Sequence, residues 1–147
     1  LGSISYKQQV LASDSVESQY AFYAADAALE CALYADQGYG QNIFAYPATQ
    51  PASAPVIICD NVNATFPSSF PTGIVSYSTS PAQWVITERF SLDSTTPHPR
   101  CADVTVYKPA PGAGTTYIFS QGYDVPCATV ATPNGARYVS RGEDARY

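Results

Sequence analysis

The sequence has few charges, a single histidine and no methionine. Charged residues make up 13% of the 147 residues, about half the fraction usual in globular domains. Seven Lys and Arg residues are outnumbered by twelve Asp and Glu residues, which gives a formal net charge of −5. Binding nucleic acid over a broad phosphate-contacting face needs clustered Lys and Arg. The composition therefore argues against that class of function.

Long apolar runs are also missing. No run reaches the roughly 18 residues that a membrane-spanning helix needs. Hydrophobic residues nevertheless make up 46% of the chain, which is enough for a core and excludes wholesale disorder. The length suits one domain, which we divide into an N-terminal helix over residues 1–36 and a loop and sheet region over residues 37–147.

The four cysteines, Cys31, Cys59, Cys101 and Cys127, include no closely spaced pair. Zinc sites typically use such pairs, so a four-thiolate zinc site is the weaker interpretation. An even count and a low charge favour two disulfides in an oxidising, extracytoplasmic setting. Four cysteines allow three connectivities. We favour Cys31–Cys59 with Cys101–Cys127, because each pair closes a local loop of similar size.

The N-terminal quarter predicts one long helix. The stretch from Ser3 to Asp36 contains no proline or glycine, and alanines recur at helical spacing at Ala21, Ala25, Ala28, Ala32 and Ala35. Such a stripe of small side chains lets another backbone approach closely. We expect it to pack on the sheet of the same domain, with packing against other copies of the helix as the alternative. Gly38 predicts the C-terminal end.

The predicted helix is longer than the domain that it serves. From Ser3 to Asp36 it would run about 50 Å at about 1.5 Å per residue, whereas a domain of this size is about 30–40 Å across. Part of the helix should therefore project beyond the sheet. Asp14 and Glu17 also resemble a capping box, and the alternative is an ordered helix that begins there.

The remainder predicts a loop followed by an antiparallel meander. Residues 37–55 are rich in Gly, Pro, Tyr and Ala without a period, which indicates a surface loop. Strand patterns follow at 56–59, 74–79, 84–92, 102–108, 115–123 and 137–141, the last extending as far as 147 in a longer version. Asn134-Gly135 is a hairpin-turn signal. One helix can cover only one face of the sheet, so the fold class is α+β, with the long N-terminal helix packed on one face of an antiparallel sheet.

The segment AFYAADAALECALYAD, residues 21–36, resembles the helix region just beyond the membrane-spanning part of type IV pilins and pilin-like minor subunits. In the C-terminal half, CADVTVYK, TTYIFSQGYD and RYVSRGEDARY resemble the strands of disulfide-bearing pilins. The resemblance implies a pilin-like fold with a hydrophobic half-helix before Leu1. It also implies a structural subunit of a bacterial type IV pilus or related pseudopilus, acting in adhesion, motility, DNA uptake or secretion.

The same resemblance implies partners and a location. The subunit would be anchored in the membrane before assembly and would then lie at the cell surface in an extracellular filament. It would contact other pilin subunits through the N-terminal helix, the assembly machinery of the inner membrane, and a host-cell, glycan or DNA ligand. The chain alone is expected to be monomeric. The expected filament contacts lie on the exposed start of the helix, the alternative being a solvated helix face: Ile4, Lys7, Val10, Leu11, Asp14 and Val16.

No motif in the sequence indicates an enzyme, a metal or a cofactor. His98 lies in a Pro-rich turn, and the sequence has no nucleophile elbow to serve it. Glu88 lies on the apolar face of a strand, where burial could raise its pKa; we expect it to reach the sheet edge or to pair with an arginine. Asp60, Asn61 and Asn63 lack the Gly and distal Glu of a calcium loop and predict an Asx turn.

The alternative function is a secreted β-rich module that binds a glycan or a protein. Tyrosine suits recognition because it combines a rigid contact area with a polar tip, although rings that cover the core edge are the simpler expectation. The candidate aromatic surface consists of Tyr39, Phe44, Tyr46 and Trp84. The residues considered for a local basic patch that could reach DNA are Arg100, Lys108, Arg137 and Arg141.

Overall fold

A computed structural model of the chain contains one long helix, a small hairpin, a five-stranded sheet and a short second helix. The structure describes the backbone from Gly2 onwards and the side chains of residues 16–147 apart from that of Tyr39. Helix α1 (Gly2–Gln37) is followed by a 3₁₀ turn (Gly38–Gly40). The other elements, in chain order, are β1 (Ile58–Cys59), β2 (Val62–Asn63), β3 (Ile74–Thr79), β4 (Ala82–Leu92), β5 (Arg100–Pro109), β6 (Tyr117–Tyr123), α2 (Cys127–Ala131) and β7 (Ser140–Arg146).

The main sheet is an antiparallel meander in the order β3-β4-β5-β6-β7. Each strand pairs with the next along the chain. The longest connection, from β6 to β7, contains helix α2. Helix α1 packs across β5, β6 and β7 on one face, and β1 and β2 lie against β4. The predicted α+β plan is therefore confirmed: a long N-terminal helix packs on a five-stranded antiparallel sheet.

The alanine stripe of α1 faces this chain's own sheet. Ala21, Ala25, Ala28 and Ala32 are fully buried, as the packing interpretation that we favoured predicts. Gly122 of β6 faces this stripe. A Cβ atom at Gly122 would overlap the carbonyl oxygen of Ala21 and the backbone nitrogen of Ala25. Helix and strand backbones therefore touch with no side chain between them, which is the use that glycine serves within a strand.

The core lies between the helix, the sheet and the loop that joins α1 to β3. Its largest fully buried side chains come from neighbouring strands and from this loop: Phe44, Phe90, Ile86, Ile118, Val104 and Val106. Phe44 belongs to the loop, and its carbonyl accepts a hydrogen bond of 3.0 Å from Nε1 of the buried Trp84. The loop predicted over residues 37–55 thus supplies core residues on the β3–β4 side.

Two disulfides join parts of the chain that are close in sequence. Cys31–Cys59 connects α1 to β1, and Cys101–Cys127 connects β5 to α2, with separations of 28 and 26 residues. These are the two pairs that loop size favoured. No free cysteine remains among the four.

The structure differs from the sequence expectations in two short elements. Strand β2 pairs with β1 around the turn residues Asp60 and Asn61, which both have positive φ; we had expected only an Asx turn. Residues 127–131 form helix α2 where we expected a loop. Asn134 and Gly135 do form a tight turn, with φ of 47° and 80°. That turn leads from α2 into β7, so the expected strand-to-strand hairpin there is wrong.

Candidate functional site

Helix α1 carries an exposed stripe on the side opposite its buried alanines. At 3.6 residues per turn, positions spaced by three, four or seven residues share one face. The exposed positions on this face comprise Val16, Tyr20, Tyr23, Ala27 and Tyr34, together with the polar Gln19 and the charged Glu30. We call the first five the exposed stripe. The Tyr23 side chain is 55% exposed, and its ring touches that of Phe22 edge-on at 6.2 Å. One helix therefore buries its small residues and presents larger apolar and aromatic residues to the outside.

The loop after α1 extends this surface with aliphatic side chains. Ile43, Val56 and Ile58 are all exposed, and Ile58 is 65% exposed. They line an open groove of about 350 Å³ beside the last turn of α1 and the Cys31–Cys59 disulfide. Exposed apolar surface that is contiguous, unlike scattered single side chains, marks interaction sites. We call the stripe and this groove together the helix-face surface.

Five of the six residues expected at a filament interface lie outside the described side chains. They are Ile4, Lys7, Val10, Leu11 and Asp14. The sixth, Val16, is 45% exposed and begins the helix-face surface. Sequence reasoning missed Tyr23 and the loop residues because it looked for contacts only at the start of the helix. The seven-residue and eleven-residue spacing of Val16, Tyr23 and Tyr34 was the signal that could have found the stripe.

One end of the sheet holds a cluster of aromatic and charged groups around α1. The ring of Tyr20 stacks on His98 at 5.9 Å, and the guanidinium of Arg100 lies 5.3 Å from the Tyr20 ring centre. Arg100 also pairs with Asp93. The only histidine of the sequence therefore packs against α1. These contacts hold α1 against this end of the sheet.

The opposite end of the sheet holds a buried ion pair at the last turn of α1. The Asp36 carboxylate is fully buried and accepts a hydrogen bond of 2.8 Å from Nζ of Lys108. The hydroxyl of Tyr147 donates to the same carboxylate oxygen. Burial, and then this hydrogen bond, raises the pKa of Tyr147. Asp36 sits at a helix C-terminus, where a negative charge is unfavourable, and Lys108 compensates it.

The cations considered for a DNA-binding patch are not brought together. Arg100 and Lys108 stand near opposite ends of β5, about 26 Å apart at about 3.3 Å per residue, and each is paired with a carboxylate. Arg137 and Arg141 are exposed on and before β7. A basic patch formed by all four residues is therefore wrong.

Glu88 is buried in the core at 2% exposure and has no arginine partner among the described residues. Burial raises the pKa of its carboxyl from 4.5 to about 8, and a hydrogen bond with the backbone of Ile57 lowers it only in part. The expectation that Glu88 reaches the sheet edge or pairs with an arginine is wrong. The loop before β1 closes over it.

The candidate aromatic binding surface is wrong for two of its members, and the simpler expectation, that the rings belong to the core, fits them. Phe44 and Trp84 are buried at 1% and 2% exposure, because both rings fill the core between the loop and β4. Tyr46 is half-buried and stacks on Tyr77 at 5.3 Å. Tyr39 lies outside the described side chains.

The described part of the chain has no grouping of three or more His, Cys, Asp or Glu residues that could hold a metal ion. Asp60, one of the residues considered for calcium, accepts a hydrogen bond of 2.8 Å from the backbone nitrogen of Asp93 instead. Within the same described residues, none of the helices has the length and apolar character needed to cross a membrane.

The fold and this surface define a class of architecture. A long N-terminal helix packed on a five-stranded antiparallel sheet, with two disulfides, is consistent with a pilin-like fold. Comparison with protein-family models, with curated proteins and with solved structures gave no match.

Proposed function

We propose that this protein is a structural subunit of a surface filament of the type IV pilus or pseudopilus kind. The observation that carries the proposal is the division of α1 into two faces. Its alanine face packs on the chain's own sheet, and its opposite face exposes Val16, Tyr23 and Tyr34. A helix face that carries exposed apolar and aromatic side chains and has no sheet over it is suited to contact another protein surface.

The proposed partner of the helix-face surface is another copy of the chain. A contact repeated head to tail with a rise builds an open helical polymer. In such a polymer the N-terminal helices lie inside and the sheets form the outer shell. We also propose that the subunit is anchored in the membrane before assembly and lies at the cell surface afterwards. We propose a non-enzymatic role: His98 stacks on Tyr20 and Glu88 is closed in the core.

The test changes the helix-face surface in the cell that makes the protein. Tyr23→Arg places a charge in the centre of the stripe without touching the core. We expect the amount of subunit in sheared surface filaments to fall by at least about tenfold, because a desolvated unpaired charge at an interface costs several kcal/mol. Immunoblots of the sheared fraction against total cell protein measure it.

Tyr107→Arg is the matched control. Tyr107 is also exposed, at 44%, but it lies on β5, away from the helix-face surface. Both variants should keep the thermal unfolding midpoint of the parent. If Tyr23→Arg is recovered in filaments in the same amount as the parent protein, the proposed contact through the helix is wrong. Recovery of the parent protein only as a free secreted chain would favour the alternative, a secreted β-rich binding module.

A further inference from the structure

A second cavity, separate from the helix-face surface, lies where α1 ends. Its volume is about 250 Å³. One wall is the turn between β5 and β6, with Lys108, Gly112 and Thr116. The other wall is the loop after α1, with Asn42 and Tyr46. It is slightly smaller than the roughly 300–1,000 Å³ usual for sites of drug-sized ligands, which fits a single sugar ring.

The walls of this cavity are held in place before any ligand arrives. The Tyr46 hydroxyl donates to the carbonyl of Ser78 at 2.7 Å, and its ring stacks on Tyr77. The Tyr77 hydroxyl in turn donates to the carbonyl of Pro47 at 3.0 Å. The backbone nitrogen of Ile43 donates to the carbonyl of Ala35 at 3.0 Å. A wall fixed by four contacts loses little conformational freedom on binding, which favours affinity.

The charge in the cavity is balanced. Lys108 is the one charged residue in the lining, and its ammonium is bound to the buried carboxylate of Asp36. The pair carries no net charge, so an anionic ligand gains little there. The ammonium has three N–H donors, and the carboxylate uses one of them. The same ammonium lies 5.9 Å from the centre of the Tyr147 ring, so the hydrogen bonds to a ligand are assigned to the other polar groups of the lining.

The remaining lining combines polar groups with one ring and several small apolar surfaces. Asn42 offers both a donor and acceptors, and the Thr116 hydroxyl offers both as well. Ala45 and two prolines give short apolar walls, and Tyr46, whose ring is stacked on Tyr77 on one face only, belongs to the same lining. A sugar has hydroxyls that need donors and acceptors and a C–H face that packs on an aromatic ring. From this match we infer that the cavity binds a neutral saccharide through one sugar unit.

The cavity lies at the same end of the sheet as the groove of the helix-face surface. The contacts of Tyr20 with His98 and Arg100 mark the end of the sheet where α1 enters, and the bond of Asp36 with Lys108 marks the end where α1 stops. The cavity is at the second end. It therefore lies away from the start of the helix, whichever partner that part contacts. The inference does not depend on the filament proposal.

The experiment is an NMR titration of the whole chain. The probes are four neutral sugars: glucose, galactose, mannose and N-acetylglucosamine, each at concentrations up to tens of millimolar. We expect at least one to give saturable shifts in backbone amides that line the cavity, such as those of Asn42, Tyr46 and Gly112. Inorganic phosphate and a thymine oligonucleotide are the anionic probes. No saturable shift with any sugar, or saturable binding of an anionic probe in the cavity instead, would overturn the inference.

Two exposed alanines provide matched variants. Ala45→Trp fills the cavity from its rim, and Ala113→Trp adds the same ring to the β5–β6 turn at a position outside the lining. We expect Ala45→Trp to raise the Kd at least about tenfold and Ala113→Trp to change it less than about twofold, because only the first occupies the space of the ligand. The amide spectrum of each variant checks its fold. An unchanged Kd in Ala45→Trp would contradict the assignment of the cavity.

Discussion

Two buried carboxylates of this protein are accommodated in opposite ways. Asp36 lies against the Lys108 ammonium and accepts a second hydrogen bond from Tyr147. Glu88 has no cation near enough to form an ion pair in the described part of the chain. Burial instead raises its pKa to about 8, so Glu88 is mostly neutral at pH 7. A buried charge without a partner is costly in free energy. Glu88 avoids that cost by binding a proton.

The stability of the protein should depend on pH through Glu88. The pKa of Glu88 is higher in the folded state, so the folded state binds more protons than the unfolded state between pH 4.5 and about 8. The free energy of unfolding then falls as pH rises through this window and levels off above it. Between pH 5 and 8 we expect a loss on the order of 3 kcal/mol. Urea unfolding at several pH values measures it.

The variant Glu88→Gln isolates this effect. Glutamine keeps the size and cannot ionise, so most of the fall should disappear, and the variant should be more stable than the parent at pH 8. Glu17→Gln, the same change at a carboxyl outside the buried core, is the control. Burial, and then contact with Asp26, also raises the pKa of Glu143, so the comparison is made between variants. A parent with the same slope as Glu88→Gln would contradict a raised pKa.

At the scale of elements, the packing of α1 on β6 depends on small residues on both sides. Ala21 and Ala25 of α1 are buried, and Gly122 has no side chain to separate the two backbones. The sequence pattern predicted the alanine face, because helical spacing is visible in the letters themselves. A lone glycine in a strand pattern indicated a close approach without saying which backbone approaches. That information required the fold.

Gly122→Ala should therefore destabilise the protein. The added methyl meets the backbone of α1 at Ala21 and Ala25, and overpacking of this kind costs about 1–3 kcal/mol, sometimes more. Gly142→Ala is the matched control in β7. Its added methyl would meet the edge of the Phe119 ring, a side chain that can shift, so its loss should be smaller. Thermal or urea unfolding of both variants measures the loss of stability. Equal losses of stability would contradict the backbone contact.

At the scale of the whole molecule, each of the two disulfides ties a short peripheral element to a long central one. Cys31–Cys59 holds the loop region against α1, and Cys101–Cys127 holds α2 against the sheet. The loops that they close are nearly equal in length, at 28 and 26 residues. In the chain-entropy account, both should stabilise by about 2–4 kcal/mol. Any difference between them then reports the local surroundings.

Paired alanine variants test this difference. Cys31→Ala with Cys59→Ala should cost about 2–4 kcal/mol. Cys101→Ala with Cys127→Ala should cost more. Cys59 and Cys101 are both buried, but Cys101 lies in the middle strand of the five-stranded sheet, where the surroundings close less easily over the cavity that truncation leaves. Urea unfolding under oxidising conditions measures both. A larger loss for the first pair would contradict the argument, and non-reducing peptide mapping that found crossed pairs would overturn the connectivity.

Much of the architecture could be predicted from the sequence because its signals are local. The alanine spacing, the alternating strand at Trp84–Leu92 and the separations of the cysteines are all visible without a fold, and they predicted the helix, the sheet and the α+β plan. Tertiary structure decided the sites. The Lys108–Asp36 pair joins residues 72 apart and the Tyr147–Asp36 pair joins residues 111 apart. Strand register and the path of the loop after α1 bring such distant residues together. The same packing buries Glu88 and forms the cavity. Contacts between elements leave no periodic pattern in the sequence, so these sites could not be predicted from it.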